Sequence, residues 1–186
     1  MNVLNQYFRG TGFQYKLVDV DWTVDSNWAA AYDEYNMKRY LRKGDYRTLN
    51  LYFLGSYFEH SGYCNYPLKT GQGSDAFYYD GCIIGAWASP GGSNSAFSTG
   101  RIAVHEVGHW NGLVHTFGEQ NSCTGNGDFV ADTPAQYGPS SGCPSSRDSC
   151  PNQPGYDPYV LISAEVLSRL LTTDPRIHNH MDYTDE

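Results

Sequence analysis

No apolar run in this sequence approaches the roughly 18 residues that a membrane-spanning helix needs, so no membrane partner is expected. Cationic side chains are scarce: Lys and Arg number 12 against 20 Asp and Glu, a net charge of −8. That leaves no basic patch to neutralise phosphates and argues against nucleic acid. The five cysteines, Cys64, Cys82, Cys123, Cys143 and Cys150, never stand as C-x-x-C. They sit among Gly, Pro and Ser as disulfide partners in loops do, which points to an oxidising compartment. Five is odd, so one is free or has its partner outside this chain. Met1-Asn-Val-Leu-Asn-Gln-Tyr-Phe8 has neither a basic stretch nor a long apolar one, so no export signal is legible. Disulfide-like cysteines without an export signal conflict. The expectation is that Met1 is an internal residue of a longer precursor. No internal repeat occurs.

What is present suits one globular domain. Hydrophobic residues make up 40% of 186, enough for a core and too many for a disordered chain. Residues 2–8 read as the end of a helix closed near Gly10. Phe13 to Val24 partly alternates and is rich in β-formers, which predicts a strand. Asp33 to Lys43 has helical spacing, with Tyr35, Met37, Tyr40 and Leu41 as an apolar core stripe and Gly44 as the stop. Thr48–Leu54, Gly62–Pro67 and Asp80–Ser89 predict short strands. Ser98 or Thr99 caps a helix over about 100–111. Residues 116–158 are loop-like and rich in Gly, Pro, Ser and Asp. Residues 160–171 carry one more helical pattern. The order strand, helix, strands, helix reads as α/β (α+β).

The helix over 100–111 carries the chemistry. It contains H-E-x-x-H extended to H-E-x-x-H-x-x-G-x-x-H, with His105, Glu106, His109, Gly112 and His115 at the specified places. Histidines four apart lie on one helical face, where they can grip one tetrahedral zinc. Glu106, offset by one position, suits a base acting on water beside the metal. Gly112 lets the helix end with positive φ, so the chain can turn and bring His115 in as third ligand. Three ligands leave a fourth position for water, the mark of a catalytic site. The plain alternative is an amphipathic helix with solvated histidines, which leaves the extended spacing unexplained.

The extended motif resembles that of the metzincin metalloproteases. His105-Glu-Val-Gly-His-Trp-Asn-Gly-Leu-Val-His-Thr-Phe117 is similar to the pappalysin (cytophagalysin-like) branch, especially its secreted fungal members. Leu41–Tyr46, Thr48–Phe53, Asp80–Cys82, Pro90–Gly92, Asp132–Pro134, Gly142–Pro144 and Arg147–Pro151 support the resemblance. His180-Met-Asp-Tyr183 looks like the tight Met-turn of metzincins. The resemblance implies a small, twisted, mostly parallel sheet with an antiparallel edge strand, two backing helices, zinc at a cleft and a loop-rich C-terminal part. It implies one catalytic domain over 1–186, with an N-terminal subdomain 1–112 and a C-terminal subdomain 113–186. His105, His109 and His115 would bind one zinc ion, Glu106 would act as general base and then acid, and Met181 would floor the metal. Tyr183 would touch the metal or stabilise the oxyanion. The resemblance pairs Cys123 with Cys150. Cys64 with Cys82 is the second candidate pair, though other arrangements stay open. Cys143 is left over, and its partner is expected beyond Glu186. Residues 159–176 are an insertion that interrupts the family's pattern; the expectation is a retained in-frame intron or similar gene-model error, the alternative a genuine extra surface helix.

These readings imply a secreted, monomeric zinc endopeptidase acting on proteins or peptides. The alternative is an inactive zinc-binding fragment serving at most as a binding module. A carbohydrate-binding domain would explain the aromatics but not the histidine spacing. Asp128, Asp132 and Asn126 offer oxygens to calcium, though solvated loop acids are the ordinary case. His60, His178 and His180 read as surface or loop residues.

Overall fold

The computed structural model describes residues 1–118, 121–141, 147–155, 157 and 179–183. The chain divides into two compact units, Met1–Gly112 and Leu113–Glu186. The sequence-predicted helix over 160–171, the insertion 159–176, His178 and Cys143 lie outside the described residues.

The first unit is built on a three-stranded sheet. Strand β1 (Leu51–Leu54) pairs parallel with β3 (Cys82–Gly85), and β2 (Gly62–Cys64) pairs antiparallel on the other side of β3. Central β3 is buried at all four positions, as a strand covered on both faces must be. Its alternating side chains divide the core. Ile84 and Cys82 join Leu4, Phe8, Val104 and Val107, which come from helix α1 (Asn2–Tyr7), the residue after it and helix α5 (Arg101–Trp110). Ile83 joins Met37, Tyr52, Leu54 and Tyr57 on the face that helix α3 (Glu34–Leu41) helps cover. Cys64 and Cys82 are cross-strand partners and form a disulfide. This mixed sheet with helices on its faces is the α+β arrangement expected.

Several elements depart from the sequence reading. Phe13 to Val24 forms no strand. Leu17, Val18, Val20, Trp22 and Val24 are exposed, and none of the described strands pairs with them. β-formers alternate usefully only where a neighbour supplies ladder hydrogen bonds. The α3 stripe is displaced as well. Met37 is buried, but Tyr40 is exposed and Lys38 is fully buried in its place. Two short helices were not foreseen. Helix α2 (Ser26–Ala29) is capped by Asp25, and helix α4 (Asp75–Tyr79) by the Ser74 hydroxyl, which accepts from Phe77 N. The expected strand to Ser89 stops at Gly85 and becomes a 3-10 turn over Ala86–Ala88. The cap of α5 is Gly100 at φ 85°, with the Thr99 hydroxyl accepting from Arg101 N at 3.4 Å.

Two buried cations tie α3 to the sheet. Lys38 Nζ donates to Tyr79 O at 2.8 Å and Gly81 O at 3.1 Å and pairs with Glu34 at 2.9 Å. Burial pulls its pKa below the ordinary lysine value, and Glu34 pulls it back up. Arg42 pairs at 2.8 Å with Asp80, whose other oxygen accepts from Trp110 Nε1 at 2.9 Å and so anchors the end of α5. Truncating one partner of a buried pair leaves the others unsatisfied. Lys38→Ala is expected to lower the unfolding free energy by about 3–5 kcal/mol, read from urea denaturation. A loss below about 1 kcal/mol would show that the buried cluster is not carrying α3.

Candidate functional site

Helix α5 brings His105 and His109 together one turn apart. Their Nε2 atoms are 3.1 Å apart, and the ring planes cross at 89°. Two nitrogens bound to tetrahedral zinc at about 2.0–2.1 Å stand about 3.3 Å from each other, so this pair fits such an ion. His109 is buried, with the Tyr66 ring edge-on to it at 5.2 Å, and His105 is partly exposed. After Trp110 the helix ends through Asn111 and Gly112. Gly112 has φ 94° and its N–H donates to His109 O at 2.8 Å, the left-handed exit that its place in the motif predicts.

Glu106 lies between the two histidines in sequence and is 6% exposed. Its Oε2 has no hydrogen-bond partner among the described residues. Burial pushes its carboxyl from 4.5 up to about 8. The side chain can seat there because β2 opens with a glycine. A Cβ at Gly62 would lie 3.0 Å from Glu106 Cγ, 3.0 Å from Ile83 O and 3.1 Å from Ile84 Cδ1. The only sequence signal for Gly62 is a glycine within a strand, which often marks a close approach.

In the second unit the structure gathers His115, Met181 and Tyr183. His115 stacks on Phe117 at 4.8 Å between ring centroids and meets the Tyr183 ring edge-on at 4.7 Å. Thr116 N donates to Met181 O at 3.1 Å. Met181 is 5% exposed and sits in a tight turn where Asn179 Oδ1 accepts from Met181 N, and Asn179 O from Asp182 N. A disulfide joins Cys123 to Cys150, the pair the resemblance implies. Of the other histidines, His60 is exposed and His180 half-buried. Asp132 is exposed, and Asp128 accepts from Val130 N at 3.0 Å. No group of three acidic side chains is gathered around them among the described residues.

Comparison with known proteins gives a consistent picture. The model of peptidase family M43, described as pregnancy-associated plasma protein-A, matches residues 32–186. An extracellular metalloprotease of Colletotrichum graminicola is 48% identical over 182 residues, 98% of this chain and 58% of that protein. One from Sordaria macrospora is 47% identical over 184 residues, 99% of this chain and 58% of that protein. The chain therefore spans less than two thirds of the length of these curated relatives. Among solved structures, mature mirolysin of Tannerella forsythia in complex with a cleaved peptide is similar at a TM-score of 0.55 and 28% identity. The match covers 88% of this chain and 54% of that one.

The buried carboxyl and its glycine neighbour each make a prediction. In metal-free protein, folded Glu106 holds a proton that the unfolded chain releases between 4.5 and about 8. The stability this contributes is fully present below the lower value and is lost as pH rises through the upper one. Urea midpoints should fall across that window, and Glu106→Gln should flatten the fall; an unaltered slope in the variant contradicts the burial described. Gly62→Ala should cost about 1–3 kcal/mol by overpacking, seen as a lower melting temperature. No change in melting would mean that the strand yields freely.

Proposed function

We propose, because this chain belongs to peptidase family M43, that it is a secreted zinc-dependent endopeptidase cleaving peptide bonds of proteins or peptides. The observation that carries the reading is the His105–His109 pair at 3.1 Å, on one helix with a buried Glu106 whose Oε2 has no hydrogen-bond partner among the described residues. His115 is taken as the third ligand. Each of the three histidines has a ring nitrogen to give, and three such ligands leave a fourth position for water. Secretion is supported by the relatives' naming as extracellular and by the two disulfides. No described helix is long and apolar enough to cross a membrane. The protein is taken to act as a monomer.

Bound zinc would polarise a water molecule and the scissile carbonyl, and its charge would favour the carboxylate form of Glu106 that accepts a proton. The remaining work belongs to the chain. Glu106, adjacent in sequence to His105 and carrying no hydrogen bond on Oε2, accepts the proton from the attacking water and returns it to the leaving amine. Its burial keeps it short of solvent partners, so it is poised to exchange a proton rather than tied in an ion pair. Tyr183, edge-on to His115, offers its hydroxyl to the oxyanion. Met181 packs as an apolar floor. No step needs a covalent intermediate.

Zinc content and hydrolysis of a generic unfolded protein, with and without a chelator, test this directly. One zinc per chain and chelator-sensitive hydrolysis are expected. Glu106→Ala should retain the zinc and lose activity by about 10²–10⁴-fold. Stoichiometric zinc without hydrolysis in the unaltered chain would favour the inactive binding module instead. Absence of zinc would remove both readings.

A further inference from the structure

Behind the bond from Thr116 N to Met181 O lies a polar cluster that the proposed chemistry does not use. Gln136 is 1% exposed and Asp182 5%. The Gln136 amide oxygen accepts from the Thr116 hydroxyl at 2.8 Å. Its nitrogen faces Asp182 Oδ2 at 2.9 Å, Gly138 O at 3.0 Å and Ser140 Oγ at 3.1 Å. Asp182 Oδ1 accepts from Ser140 N at 2.9 Å and Tyr183 N at 2.8 Å. Arg147 closes the far side by donating to the Ser140 hydroxyl.

The orientation of the Gln136 amide follows from its partners. A carboxylate and a carbonyl only accept, so the edge facing Asp182 and Gly138 is the nitrogen. One side chain therefore links two short segments far apart in sequence. Thr116 directly follows His115, and Asp182 stands between Met181 and Tyr183. A buried cluster whose members satisfy one another is rigid in a way that apolar packing is not. Stability alone is a weak reason for it, because apolar replacements of similar volume are often neutral or better in such places.

We infer that Gln136, together with Asp182, is a positioning residue that holds His115 in its ligating place by locking Thr116 onto the Met181 turn. The inference rests on His115 being a zinc ligand, as proposed above. It is tested by zinc affinity, measured in competition with a chromophoric chelator, alongside melting curves of the metal-free proteins. Gln136→Met keeps the side-chain length and removes the hydrogen bonds. It should stay cooperatively folded and bind zinc about 10–100-fold more weakly, the usual loss when a ligand's supporting partner is removed. Thr116→Val, nearly isosteric, should weaken binding in the same direction. Wild-type zinc affinity in Gln136→Met overturns the inference, as does wild-type affinity in Thr116→Val should Gln136→Met fail to fold. His115→Ala separates the two levels. If it weakens zinc binding while Gln136→Met does not, only the positioning role falls. If it leaves zinc binding unchanged, the ligand assignment falls and the positioning role with it.

Discussion

Val104 and Val107 pack with Cys82 and Ile84 and hold helix α5 against the central strand; the same turns carry a buried carboxyl whose Oε2 has no hydrogen-bond partner among the described residues. Burying a carboxyl without a partner is unfavourable by several kcal/mol, and a helix resting on it alone would not stay in place. The apolar contacts outweigh that cost. The Asp80–Trp110 hydrogen bond pins the end of the helix, and the bare backbone of Gly62 leaves room for the Glu106 stem. Local disadvantage tolerated by a strong surround is common where a side chain must react rather than merely pack.

The second unit solves its ordering problem differently. Its buried apolar side chains among the described residues are few: Phe117, Cys150 and Met181. Hydrogen bonds and one disulfide supply most of the definition. Arg147 pairs with buried Asp157 at 3.0 Å, Asp157 accepts from Ser149 N and its hydroxyl, and Cys150 is bonded to Cys123. The Gln136 cluster belongs to the same scheme. A loop-rich segment with many backbone groups to satisfy gains more from such directional bonds than a helix–sheet layer does.

The sequence was most legible where structure depends on near neighbours. The helix of the motif, its glycine exit and the strands at Leu51–Leu54 and Cys82–Gly85 follow from spacing and from β-branched or apolar runs. Legibility failed where a distant partner decides. Phe13–Val24 has the composition of a strand but pairs with none of the described strands. In α3 the periodicity favoured Tyr40 over Lys38, yet Lys38 found Glu34 and two carbonyls from the β3 approach and went inside. The cap of α5 passed from a hydroxyl to Gly100, because the chain enters the helix with positive φ.

Sequence alone determined the chemistry available. Two imidazoles four residues apart, an acid beside the first and a glycine before the third histidine are local facts, and helical geometry converts them directly into one face. Tertiary structure alone decided how that chemistry is conditioned. The Glu106 stem sits against the bare backbone of Gly62 on a strand remote in sequence, and Thr116 is tied to the Met181 turn through Gln136. Those contacts join residues remote along the chain, and no periodicity or composition encodes which of them will meet.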